Sequence, residues 1–277
     1  MRLDASAEER EALIRAMGLD RPVPERYLTW LSGFVRGNLG VSLLSNEPVM
    51  DRIADRLPNT LALSGAALGV SLVLGIPLGI LQAIRRNSWL DHLLSLFSAF
   101  GLAVPVFWLG IVLILFFAVT LRILPSAGVT TIGVDGLTDR LAHLVLPTFT
   151  LATATLPTVV RFMRSAMIEV LHEDYLRTAH AKGLAPRFVL SHHALQNALI
   201  PVVSAVGTLV PRLLGGTVVT ESVFGWPGLG RLALEAASGR DYPLVTGLTV
   251  VVAVIAVVTS VLVDVVYTRL DPRVRLS

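Results

Sequence analysis

Between two apolar, membrane-length segments lies a polar interruption, EDYLRTAHAKGLAPRFVLSHHALQNALIP, beginning at Glu173. Its residue types follow the grammar of a short helix. Glu173 and Asp174 put negative charge at a first turn, where the helix dipole favours it. Tyr175, Ala179 and Gly183 recur at i, i+4 and i+8, so one face narrows to small residues. Arg177 and Lys182 flank that face, Gly183 can end the helix and Pro186 can open the next. The chemistry expected of such a face is protein docking, by a partner that drives a membrane subunit.

Other reactive residue types are sparse. Arg212 stands inside an apolar span, where a charge is costly and either faces a pore or snorkels to the outer headgroups. Asp264 lies near the other end of an oppositely directed span, which places it as an interfacial or capping group. Glu221 and the run Trp226-Pro227-Gly228-Leu229-Gly230 read as a bend beyond a span, either an outer gate or a simple turn with an interfacial aromatic. His192 and His193 point about 100° apart on a helix, poor geometry for joint metal binding. The chain has no cysteine, which excludes disulfides and thiolate chemistry. No Gly-x-x-x-x-Gly-Lys loop is present, so ATP hydrolysis is not expected of this chain.

The elements that must position these residues are membrane helices. Of 277 residues, 53% are hydrophobic and 16% charged, against about 25% charged in soluble domains; the mean hydropathy is +0.70. Five spans of about 20 residues or more can be drawn, at 58–84, 93–121, 141–163, 199–219 and 244–267. Pro77, Pro105, Pro147, Pro157 and Pro211 fall within them, predicting kinked, closely packed helices. The pI near 9.8 does not point to nucleic acid, because the basic residues gather at span ends.

Their distribution orients the chain. Arg85, Arg86, Arg161, Arg164, Arg177, Lys182, Arg187, Arg269, Arg273 and Arg275 lie on one side, against Arg122, Arg140, Arg231 and Arg240 on the other. The richer side, with the 173–194 segment and the C-terminus, is expected to be cytoplasmic. Residues 1–57, with eight arginines and no apolar span, would then form an extracytoplasmic amphipathic segment. A preceding transmembrane helix, absent from this sequence, is expected to carry them across; export by the first hairpin is the alternative.

Ordered motifs run through the chain: Arg56-Leu57-Pro58-Asn59-Thr60, Gly75-Ile76-Pro77-Leu78-Gly79, Pro105-Val106-Phe107-Trp108-Leu109-Gly110, Glu173-Asp174-Tyr175 through Lys182-Gly183, Asn197-Ala198-Leu199-Ile200-Pro201, Glu221-Ser222-Val223-Phe224 with Trp226-Pro227-Gly228, and Leu270-Asp271-Pro272-Arg273. Together they resemble the permease subunits of binding-protein-dependent ABC importers, in the dipeptide, oligopeptide and nickel branch. Arg177-Thr178-Ala179 stands where the general importer pattern has Glu-Ala-Ala, as the peptide branch does.

The resemblance implies an all-α, polytopic type I importer permease fold, with a family core of six helices of which the first is missing here. It implies a transmembrane domain at 58–277 in the cell membrane. The cytoplasmic coupling segment would be 173–194, with Glu173, Asp174, Tyr175, Arg177, Thr178, Ala179, Lys182, Gly183 and Arg187 as its ATPase-contacting residues. Arg212, Glu221, Trp226, Pro227 and Gly228 would serve the gate or translocation path. The implied partners are a homologous permease, two ABC ATPases and an extracytoplasmic binding protein; ATP and Mg would be used by the ATPases, with no cofactor or metal held by this chain. Peptide import is the expected function. Nickel or other small-solute uptake by the same architecture, and a stand-alone ion-coupled carrier, are the alternatives.

Overall fold

A computed structural model describes residues 20–134 and 136–270. Arg273 and Arg275 of the charge count, most of the 270–273 motif and the first 19 residues of the amphipathic segment lie outside the described residues. The regular elements among the described residues are helices, with one isolated antiparallel bridge between Val41 and Pro48. In chain order the helices are α1 (Val23–Val35), α2 (Val49–Ile84), α3 (Trp89–Ala103), α4 (Val106–Leu113, continued by a π-helical stretch Ile114–Thr120), α5 (Leu137–Ala152), α6 (Leu156–Leu171), α7 (Asp174–Ala181), α8 (Pro186–Phe188, continued by a π-helical stretch Val189–Ala194), α9 (Leu195–Val223), α10 (Leu229–Ser238) and α11 (Tyr242–Leu270).

Among the described residues, three stretches are long and apolar enough to cross a membrane alone, Val49–Ile84, Pro186–Gly215 and Tyr242–Arg269. Two bent pairs raise the number to five if each is one span. The second expected span is therefore not one helix. α3 and α4 meet at 100°, because Pro105 follows Val104, which it holds in an extended conformation with ψ 125°. The third expected span bends by 55° between α5 and α6; Pro157 sits in the first turn of α6, where its missing N–H costs nothing. Pro77, Pro147 and Pro211 remain inside continuous helices.

α2 is the mast of the fold. Its 36 residues span about 54 Å, more than the hydrocarbon core of about 30 Å. It packs closely on α6, and small residues make this possible. A Cβ on Gly79 would stand 2.6 Å from Met163 Cβ, and one on Gly75 would stand 2.8 Å from Val159 Cγ1. Such close backbone approach is how membrane helices gain packing energy that apolar surface alone does not supply in lipid.

Three buried clusters are strung along this mast. Toward its start, Val49 and Ile53 join Leu39 with Leu229, Leu232, Leu244 and Leu248. In the middle, Leu63 and Ala67 join Leu151, Leu213 and Trp226. Toward its end, Ala83 joins Met163 and Met167 of α6, Leu176 and Ala179 of α7, and Val189, Ala194 and Ala198 beyond. Ile53 and Ala83 are about 45 Å apart along the helix, so the α10 loop and α7 occupy opposite ends of the molecule.

Candidate functional site

The 173–194 segment folds as a short helix and a glycine turn. Asp174 sits in the first turn of α7, and Arg177 pairs with it at 3.0 Å on the exposed surface. The helix ends in a Schellman-type closure, in which Leu184 N–H reaches back to Ala179 O at 3.4 Å. Gly183 provides the left-handed residue this requires, at φ +77°.

The face expected from the i, i+4, i+8 spacing divides. The helix stops at Ala181, so Gly183 is past its end and belongs to no face of it. Ala179 points inward and is buried with Leu176 against α6 and the α8–α9 junction. That corrects its assignment as an ATPase-contacting residue. Glu173, Asp174, Arg177, Thr178, Lys182, Gly183 and Arg187 remain exposed. Tyr175 is also exposed, and its hydroxyl accepts a 2.8 Å hydrogen bond from Asn197 Nδ2. α7 thus presents a polar outer surface braced from behind by an apolar core.

The 221–231 segment is a buried clamp. Glu221 is 0% exposed and Trp226 2%. Thr60 Oγ1 donates to Glu221 Oε1 at 2.7 Å and itself accepts from Leu229 N–H at 2.7 Å. Arg231 N–H donates to Glu221 Oε2 at 2.8 Å, so the carboxylate closes the first turn of α10, where free amides favour it. Trp226 Nε1 donates to Asn59 O at 3.0 Å, and Asn59 Nδ2 donates to Pro227 O at 2.9 Å. Gly228 is small because a Cβ there would overlap both Glu221 Oε1 and Thr60 Oγ1. These bonds tie α2, α9 and α10 together. Trp226 is consequently no interfacial aromatic, and Glu221, Trp226 and Gly228 do not line an open passage in this chain.

Arg212 is different. It is exposed on α9 and makes no hydrogen bond or ion pair among the described residues. No group of three or more His, Asp or Glu side chains suited to a metal ion occurs among those residues either.

Two connections had no counterpart in the sequence reading. Arg164 of α6 grips Asp91 of α3 through Nε at 2.9 Å and Nη2 at 2.8 Å. Asp91 is 2% exposed and also accepts from Asn87 N–H at 3.0 Å, while Gln82 Nε2 donates to its carbonyl at 3.1 Å. At the other end, Asp241 begins α11 and accepts from Ser42 Oγ, Leu43 N–H and Leu244 N–H. Burial alone would raise the Asp241 carboxyl, but these hydrogen bonds, with one from Leu44 N–H, outweigh it and hold the group below its ordinary value. Only a serine–aspartate pair 199 residues apart in sequence marks this join, which no local pattern could signal.

With this geometry in place, comparison with known proteins is direct. Residues 75–276 match the family described as the binding-protein-dependent transport system inner membrane component. The oligopeptide transport system permease protein AppB of Bacillus subtilis is 42% identical over 271 residues, covering 97% of this chain and 86% of that one. The dipeptide transport system permease protein DppB of Escherichia coli K12 is 38% identical over 292 residues, covering 98% and 86%. An inward-facing structure of the MetNI methionine ABC transporter superposes with a TM-score of 0.64 at 19% identity, covering 80% of this chain and 97% of that one. That last likeness establishes a shared fold.

Proposed function

The chain belongs to the binding-protein-dependent transport system inner membrane component family, and from that premise we propose that it is the permease subunit of an ATP-driven importer of di- or oligopeptides. The single observation that carries the peptide reading is the identity of about two residues in five, nearly end to end, with permeases named for oligopeptide and dipeptide transport.

The mechanism follows from the two ends of the mast. A cytoplasmic ABC ATPase docks on α7 through Glu173, Asp174, Tyr175, Arg177, Thr178, Lys182, Gly183 and Arg187. Because Leu176 and Ala179 lie in one buried cluster with Val189, Ala194, Met163 and Met167, displacement of α7 is carried through that cluster to α6, and α6 moves α2 through the Gly75 and Gly79 contact. The Glu221–Thr60 clamp passes that movement to α10 at the far side. A pair of ATPases closing on ATP and Mg would drive this chain and a homologous permease between two orientations. An extracytoplasmic binding protein would deliver the solute. The segment 1–57 lies outside in this reading, and the 173–194 segment and C-terminus lie in the cytoplasm, as the arginine bias requires.

Reconstitution of this chain with its ATPases, second permease and binding protein tests the reading. Labelled dipeptide should accumulate in proteoliposomes only with ATP and binding protein present. Accumulation of a nickel complex in place of peptide would remove the peptide reading, and uptake without nucleotide would remove the importer reading.

A further inference from the structure

α11 presents an exposed surface suited to lipid. None of its most apolar window is buried, and its exposed large side chains include Val254, Val257, Val258, Val261 and Leu262. The exposed side of α9 has another character. Pro201, Ser204, Thr208, Arg212, Gly215 and Val219 are all exposed and follow one another at intervals of three or four. They form a single stripe of about 27 Å, close to the thickness of the hydrocarbon core. The opposite side is packed into the protein through Val202, Ala205, Leu209 and Leu213.

The hydroxyls in the stripe do not decide what covers it. Ser204 and Thr208 satisfy themselves on the backbone of their own helix, at Ile200 O and Ala205 O, and such groups tolerate lipid. Arg212 decides. A guanidinium facing hydrocarbon near a helix centre costs about 3 kcal/mol, and among the described residues nothing pairs with it. It lies 11 residues before the end of α9 at Val223, about 17 Å from that end.

On the permease reading above, the exposed stripe of α9 belongs to the water-filled translocation path, and we propose that Arg212 within it is the positive charge that draws in the carboxylate of the passing solute. A free peptide carries a carboxylate at its C-terminus, and the planar guanidinium fork matches that group in two parallel hydrogen bonds. The identity of the solute rests on the peptide reading above. The path itself does not, and it can be read without any substrate.

The absence of native cysteine makes the test clean. Thr208→Cys and Val258→Cys are introduced singly in the assembled transporter, and each is exposed to anionic and cationic water-soluble thiosulfonate reagents. Thr208→Cys should react and Val258→Cys should not. Arg212 stands one turn from position 208, about 6 Å away. A unit charge at that distance, even in fully aqueous surroundings, changes each reagent's rate about threefold. The anion-to-cation rate ratio at position 208 should therefore fall roughly tenfold when Arg212→Gln is added, and Arg212→Lys should restore most of it. A Thr208→Cys as inert as Val258→Cys, because lipid or the second permease covers it or Arg212 snorkels outward, overturns the path. A ratio unmoved by Arg212→Gln overturns the charge role. Neither result depends on peptide uptake, so a failed uptake assay would sink the substrate reading separately.

Discussion

Arg164 and Asp91 are joined by two hydrogen bonds of 2.9 and 2.8 Å, and this pair ties α3 to the helix that leads directly into α7. The carboxylate side chain is 3% exposed and the guanidinium side chain 30%. Buried pairs of this kind fix geometry more than they add stability, yet breaking one strands a charge. Arg164→Gln should cost about 3 kcal/mol, the low end for such pairs because the arginine keeps partial contact with solvent. Thermal unfolding of the detergent-solubilised chain measures it. Arg164→Lys, which keeps the charge, should recover part of the loss, and a neutral Arg164→Gln would show that the pair holds nothing.

The Glu221 clamp makes a sharper stability prediction. Thr60→Val keeps the shape but removes the donor to Glu221 and the acceptor for Leu229 N–H. Unsatisfied buried groups cost about 1–3 kcal/mol each. The variant should unfold earlier, and hydrogen exchange at the first turn of α10 should rise more than at α7. Equal change at both ends would mean that the clamp is not local.

Gly183 is required for backbone conformation, since an added Cβ there would meet nothing within 4 Å. At φ +77° an ordinary residue carries strain of about 1–2 kcal/mol, which asparagine relieves in part. Gly183→Asn should therefore keep the turn and most ATP-dependent uptake. Gly183→Trp should abolish uptake with membrane insertion intact, because its bulk stands on the docking side. Normal uptake in Gly183→Trp would remove this turn from the ATPase contact.

Asp241 gives a pH dependence. A carboxyl lowered on folding contributes stability that is fully present above its unfolded pKa of about 3.9 and is lost as pH falls through the lower folded value. Asp241→Asn should be less stable than the wild type at pH 7. The difference should shrink as the pH falls from about 4 toward the lower folded value, where the folded wild-type group also becomes neutral. A gap of constant size from pH 7 to pH 3 would show that shape alone holds the join.

Much of this was legible in the residues. The apolar runs gave the spans, and Gly183 and Pro186 marked the end of α7 and the start of α8 where the structure has them. The breaks were harder. Pro105 and Pro77 look alike in sequence, yet one turns the chain by 100° and the other sits in a continuous helix, because surrounding helices decide whether a proline's freed carbonyl is satisfied. Period-four spacing misled at Gly183, since an eight-residue helix ends before the pattern reaches it, while Ala179 within that helix turns to the core. Glu221 and Trp226 resembled an exposed bend because their partners, Thr60 and Asn59, lie more than 160 residues away in the chain. The π-helical stretch Val189–Ala194, at the junction of α8 with α9, has no local signature at all.

Lys182, exposed beside the glycine turn, offers the most direct test of the docking surface. With Lys182→Cys as the sole cysteine, a membrane-impermeant maleimide should label the protein in inside-out vesicles and not in intact cells. Rebinding of the purified ATPase should then block the labelling. Labelling from the outer side, or labelling from the inner side that the bound ATPase does not slow, would contradict the account.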